Sequence, residues 1–409
     1  MILPVFIIEI FPPLTLLIAV FGLWWNPSKW RTYLPMLVYV LFIGAYCYIP
    51  DESSNVDLIR YLPEIEYYNN LSLKEALTIN NDILFTRDIL FWICGKLQIP
   101  HMVPAFTTAA VYMIAGYMTC DCAERHNKKQ LVPVLLLFQL MMLPYISIVN
   151  NVRNVFGLSV IALAAYRDII KNNRNIITIF LYAAGTLMHL SCFVLIVFRI
   201  LCKYSEKFFE AVLIIPFIFS TLIYAVYEYS YIFNVVGSLG NTIQTIIRKL
   251  YRYLENTTSS YAVKATVSRT YIMNRMIMMT GAALILILVY YGIRYNKKLF
   301  KDDSRMHSFV GMTAAMTLGC NVFAIPNYWR FAAAMYVMSG VIYVPLLDEY
   351  RRLPMWVKLI TVFSLLLGPL GLFIQWYQGR NSVFFAVDQL MMTNNITIIY
   401  HVLKGLFSL

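Results

Sequence analysis

An arginine at the edge of an apolar helix, with a carboxylate and a histidine elsewhere in the same chain, suits a phosphate-bearing substrate. Guanidinium stays charged and grips phosphate oxygens with a planar fork, and an imidazole or carboxylate can take a proton during group transfer. Four places in the sequence offer such groups. Asp57-Leu-Ile-Arg60-Tyr61 sets Asp57 and Arg60 three residues apart on one helix face. Arg153 stands in Asn-Asn-Val-Arg-Asn, entering an apolar run, and His189 lies deep in another run with Ser191 close behind. Arg330 closes Pro-Asn-Tyr-Trp-Arg ahead of Phe331.

Each place also has a plainer reading. Leu58, Tyr61, Leu62 and Ile65 form an apolar stripe that would lay the 57–67 helix on a bilayer. Arg153 would snorkel to headgroups, His189 would be a hydrogen-bonded core residue, and Arg330 would anchor an aromatic belt.

The elements that must position these residues are membrane helices. Of 409 residues, 60% are hydrophobic and 13% charged, about half the charged share of a soluble domain. Apolar runs long enough to cross a hydrocarbon core of about 30 Å recur from end to end. The fold expected is therefore all-α: one polytopic membrane domain over 1–409 with about 11–12 transmembrane helices, some short or broken, and outer segments at about 51–101 and 228–271. The net charge of +12 is scattered among short loops, which excludes a nucleic-acid stripe and points to topology. Seven cysteines show no paired metal-ligand spacing, so neither a metal nor another cofactor is expected.

Basic loops face the cytoplasm. Lys29 and Arg31 then put the acidic segment 51–82 outside, with Asp51, Glu52, Asp57, Glu64, Glu66, Glu75 and Asp82 against Arg60 and Lys74. Segment 83–97 carries Arg87, Asp88 and Lys96 and reads as an interfacial or re-entrant helix. Block 176–202 is long for one span and short for two. Lys171 precedes it and Arg199 and Lys203 close it, so it must be two short elements with a turn near His189 and Ser191 if later basic loops are to stay inside. In the second outer segment, Arg248, Lys249, Arg252, Lys264 and Arg269 accompany helical apolar spacing and read as a basic amphipathic helix, a ligand lid or a simple interfacial element.

The Asp57–Tyr61 element, the Arg153 run ending in Arg167 and Lys171, the 176–190 run closing in His189-Leu-Ser191 and, more loosely, Arg330 with Phe331 and Tyr336 resemble the EpsG-like group of bacterial polysaccharide polymerases, which includes many O-antigen (Wzy-type) polymerases. The resemblance implies a glycosyltransferase of the inner membrane, its site facing the periplasm, that moves a growing glycan from undecaprenyl pyrophosphate onto a lipid-linked repeat unit. It implies such carrier-linked oligosaccharides and membrane lipids as partners, with a chain-length regulator and a flippase in the same pathway. Arg153 and Arg330 would then stabilise the leaving pyrophosphate, His189 or Asp57 would be the base, Arg60 would orient Asp57 or hold phosphate, and Tyr61 would stack on sugar. The rival class is a lipid-linked glycan flippase, for which internal repeats and charges in both halves are expected and not found. A membrane acyltransferase would need a cytoplasmic donor site that is not visible.

Overall fold

The structure is a computed structural model describing residues 12–50, 56–80, 83–204, 268–295, 304–323, 328–379, 384–385 and 392–407, with single positions 210, 214, 218, 244 and 299. Almost every described element is a helix. The first half runs through α1 (Pro12–Trp25), α2 (Trp30–Tyr46), a two-residue strand β1 (Tyr48–Ile49), α3 (Asp57–Tyr67), α4 (Leu73–Thr78), α5 (Phe85–Lys96) and α6 (Met102–Arg125). It continues with α7 (Val132–Met142), α8 (Tyr145–Asn150), α9 (Asn154–Ile169), α10 (Ile176–Thr186) and α11 (Phe193–Leu201). The second half holds α12 (Arg269–Arg294), α13 (Ser304–Phe323), α14 (Tyr328–Val337), α15 (Ser339–Asp348), α16 (Met355–Gly379), β2 (Phe384–Phe385) and α17 (Asn395–Phe407). The amphipathic helix read from 243–254 and the apolar run 208–227 fall outside the described residues, apart from single positions.

Three helices, Met102–Arg125, Arg269–Arg294 and Met355–Tyr377, are long and apolar enough to cross a membrane, and α14 with α15, bent by 46°, makes up to four. That is fewer full-length spans among the described residues than the 11–12 expected. Part of the difference is breakage, since apolar runs are divided into helices of 10–17 residues such as Leu14–Trp25, Lys129–Met142 and Ile176–Thr186, and part is that runs such as 208–227 lie outside the described residues. The apolar face of α16, with Leu359, Phe363, Leu366, Leu370 and Phe373 exposed, suits a helix set in lipid.

Each break is paired with side chains that satisfy the freed backbone, as non-helical chain at membrane depth requires. Run 131–149, read as one span, breaks at Leu143 and Pro144, where proline cannot continue the helix. Tyr112 donates to the Leu143 carbonyl at 2.9 Å and Gln375 to that of Met141 at 2.6 Å. Run 331–347 breaks at Met338, where the buried amide of Gln139 donates to the carbonyls of Tyr336 (3.1 Å) and Val337 (3.3 Å). Thr119 holds that amide by its oxygen at 3.0 Å.

The two ends of the bundle differ in chemistry. At one end the basic loops are tied together: Arg31 and Lys129 to Glu124 (2.9 and 3.0 Å), Lys128 to Asp348 (3.0 Å), and Lys171 to Asp121 (2.7 Å). At the other end β1 pairs antiparallel with β2, Asn150 donates to the Tyr48 hydroxyl at 3.0 Å, and Cys47 bonds Thr393 at 3.4 Å. The segregation matches the alternation of basic and acidic loops in the sequence.

Block 176–202 is a hairpin. Asn175 caps α10 by accepting from Thr178 N–H at 3.2 Å, the chain turns through Leu187–Cys192, and α11 returns. Asp168, near the end of α9, holds Arg174 before α10 (2.7 Å) and Arg199 near the end of α11 (Nε, 2.6 Å), so both feet of the hairpin stand at the basic end. Its inner side is tight. A Cβ at Gly157 of α9 would lie 2.7 Å from Cys192 Sγ and 2.8 Å from the Gly185 carbonyl. Lys171→Cys and Lys203→Cys, in a cysteine-free background, are therefore expected to react with an impermeant maleimide from the same side of the membrane. Labelling from opposite sides would turn the hairpin into a single crossing and overturn this arrangement.

Candidate active site

At the end away from the basic loops, the α8–α9 junction carries Arg153 into contact with α3. Its guanidinium donates to the Tyr61 hydroxyl and lies over the Tyr61 ring, 4.4 Å from its centroid. The ring is packed in turn on Phe91 of α5, with centroids 5.8 Å apart. Leu58, Tyr61 and Ile65 are buried in the cluster that α3 forms with α5, so the apolar stripe faces protein and not, as its plainer reading had it, the bilayer. Tyr61 has one face covered by an arginine, which removes that face as a sugar platform and makes the ring a seat for Arg153. Burial raises the phenol above its ordinary value even with Arg153 beside it, so it stays neutral.

Asp57 and Arg60 form an ion pair on α3, with Arg60 mostly exposed. Arg330, near the start of α14, stands within electrostatic reach of Tyr61 from one side and of Cys192 and Cys320 from the other. His189 sits in the hairpin turn. Its Nδ1 accepts from the Ser191 N–H at 3.1 Å and lies 2.8 Å from Ser191 Oγ, which reaches Asn154 Oδ1 at 3.4 Å. Since a backbone N–H only donates, Nδ1 carries no proton here, and the neutral ring bears its proton on Nε2. Asn154 follows Arg153 directly, so hairpin tip, α9, α14 and α3 meet at one level. All six residues singled out in the sequence therefore lie at one end of the bundle.

Several neighbours are visible in the sequence but do not stand out there as site residues. Arg87 and Asp88 of α5 form a buried ion pair, and Tyr68 donates to Asp88 at 2.9 Å with Asn80 joining both. Glu64 lies half-buried on α3 between this cluster and Arg153. Helical spacing from Arg60 and Tyr61 could have marked it, but in an acidic segment it reads as one more solvated carboxylate. Arg153 Nε, Asn150 Oδ1, Asn151 Oδ1 and Asp88 Oδ2 are buried and find no hydrogen-bond partner among the described residues, which concentrates unused polar capacity around this junction. Among the described residues no three His, Cys, Asp or Glu side chains gather where an ion could be held.

The chain is thus a helical membrane protein with arginines, a histidine and carboxylates collected at one end of the bundle. A model of the EpsG family matches residues 32–390, nearly the whole chain, and the protein belongs to that family. Membership makes it a membrane protein of the polysaccharide-polymerase kind, glycosyltransferase-like in activity. Neither a curated protein nor a solved structure matches it.

Proposed function

We propose that the protein is an O-antigen-like polysaccharide polymerase of the bacterial inner membrane. It transfers a growing glycan from undecaprenyl pyrophosphate to the non-reducing end of a lipid-linked repeat unit at the periplasmic face, without a bound metal. The observation that supports this most is that Arg153 contacts the Tyr61 phenol while Arg330, on another helix, lies within electrostatic reach of it, at the end opposite the basic loops. Two guanidinium groups on different helices can hold the two phosphates of a carrier.

The chemistry follows from charge. A hydroxyl oxygen of the acceptor sugar attacks the anomeric carbon of the donor, the bond from that carbon to pyrophosphate breaks, and the electron pair leaves on the pyrophosphate. Arg153 and Arg330 offset the charge that develops there. The acceptor proton passes to a base, and the site offers the imidazole of His189 and the carboxylates of α3. Tyr61 fixes Arg153, and Arg60 orients Asp57.

The test is the glycan of cells whose own copy is removed. Surface or carrier-linked glycan one repeat unit long, with long chains restored on complementation, is the result expected. Loss of all surface glycan, with repeat units retained on the cytoplasmic side, would instead identify a lipid-linked glycan flippase.

A further inference from the structure

On the polymerase reading, one role is still to be assigned, that of the group that receives the acceptor proton. His189 is ill placed for it, because its Nδ1 lone pair is engaged by the Ser191 N–H at 3.1 Å and its remaining nitrogen carries a proton. It is therefore not placed to deprotonate a substrate hydroxyl. Asp57 has its carboxylate engaged by the Arg60 guanidinium, so that oxygen is already occupied. Two turns beyond Asp57 on α3, and one beyond Arg60, stands Glu64. It is half-buried, and its carboxylate makes no hydrogen bond or ion pair with any described residue.

We propose that Glu64 is the general base of the glycosyl transfer, receiving the hydroxyl proton of the acceptor sugar beside the Arg153 that holds the pyrophosphate. Three observations carry this. Glu64 follows Tyr61, the seat of Arg153, by three residues, so the two side chains project from the same side of the helix. The charged and titratable groups around it, among the described residues, are Arg60 on its own helix, Tyr68 just after it, Arg87 and Asp88 on α5, and Arg153 at the start of α9. The buried Arg87–Asp88 pair, bonded at 2.6 Å, is joined by Tyr68 and Asn80, and none of these hydrogen bonds goes to the Glu64 carboxylate. Burial raises the Glu64 carboxyl above the usual carboxylate range, against the opposing pull of Arg87 and Arg153. A carboxylate nearer neutrality is a stronger acceptor while still ionised at physiological pH.

The pH dependence has a definite sign. The base works when ionised, so the rate falls as pH drops through the Glu64 value, and that acid limb lies above the range of an ordinary glutamate. Membrane vesicles from the native host, carrying their own lipid-linked repeat units, provide the assay, with chain length followed by gel across the acidic range. Glu64→Gln is expected to slow extension about a hundredfold or more and to abolish the acid limb of the residual rate. Glu64→Asp is expected to keep the limb at a reduced rate. Protein abundance is followed by a tag, and the shape of the profile does not depend on abundance. Glu64→Gln with the wild-type rate, or with an unchanged acid limb, would overturn the assignment. Arg153→Lys in the same vesicles separates the two readings. If it blocks extension and Glu64→Gln does not, the base is elsewhere; if neither alters chain length, the polymerase reading itself falls.

Discussion

Replacing Arg153 by lysine is expected to abolish chain extension while the protein is made and inserted in normal amount. Lysine keeps the charge but loses the planar fork, and with it both the two-point grip on phosphate and the guanidinium contact over the Tyr61 ring at 4.4 Å. One transition-state donor of this type is worth about 3 to 4 kcal/mol, a loss on the order of a hundredfold or more in rate. An arginine that only anchored a helix in headgroups would tolerate the change. Arg330→Lys is expected to behave alike, and Tyr61→Phe more mildly, since the ring remains as a seat but the hydroxyl contact is lost. Cells carrying either lysine variant should show glycan one repeat unit long. Normal long chains from both would leave the arginine site without support.

Asp168→Ala is expected to be the most damaging change away from the site. Asp168 and Arg199 side chains are 9% and 10% exposed, so removing the carboxylate strands a buried guanidinium, a defect that costs about 3–5 kcal/mol. It also frees Arg174, untying both feet of the α10–α11 hairpin at once. The purified variant should melt well below wild type and extend chains poorly, although Asp168 is remote from His189. The double change Asp168→Leu with Arg199→Leu should recover much of the melting temperature, because no charge is then left buried. A single variant as stable as wild type would show that the hairpin is held by its apolar packing alone.

The hairpin was legible in the sequence because charge parity demanded it: Lys171 and Lys203 could share a side only if the chain turned near His189. The breaks at Leu143–Pro144 and Met338 were not. Apolar residues continue on both sides of each, and the groups that satisfy the freed carbonyls, Gln375, Tyr112 and Gln139, are distant in sequence. The same limit applied at the site. Arg153, His189 and Arg330 stood out as charges or polar groups within apolar runs, where their cost is plain. Glu64 did not, because its environment is made by α5 folding back over α3, and nothing local distinguishes it from Glu66, which is exposed. The stripe of Leu58, Tyr61 and Ile65 was visible, but not whether lipid or protein would cover it.

The hairpin's height has a consequence for how a carrier would arrive. α9 has 16 residues between the Asn154 level and the basic end, a rise of about 24 Å, less than a hydrocarbon core of about 30 Å. On the polymerase reading, with the basic end at the cytoplasmic headgroups, the tip that holds His189 ends below the headgroups of the outer leaflet. A polyprenyl carrier can then slide in sideways with its tail still dissolved in the leaflet. Extracting that tail into water would cost about 0.8 kcal/mol for every methylene; here the anchor never leaves its solvent, and successive carriers can exchange by lateral diffusion alone.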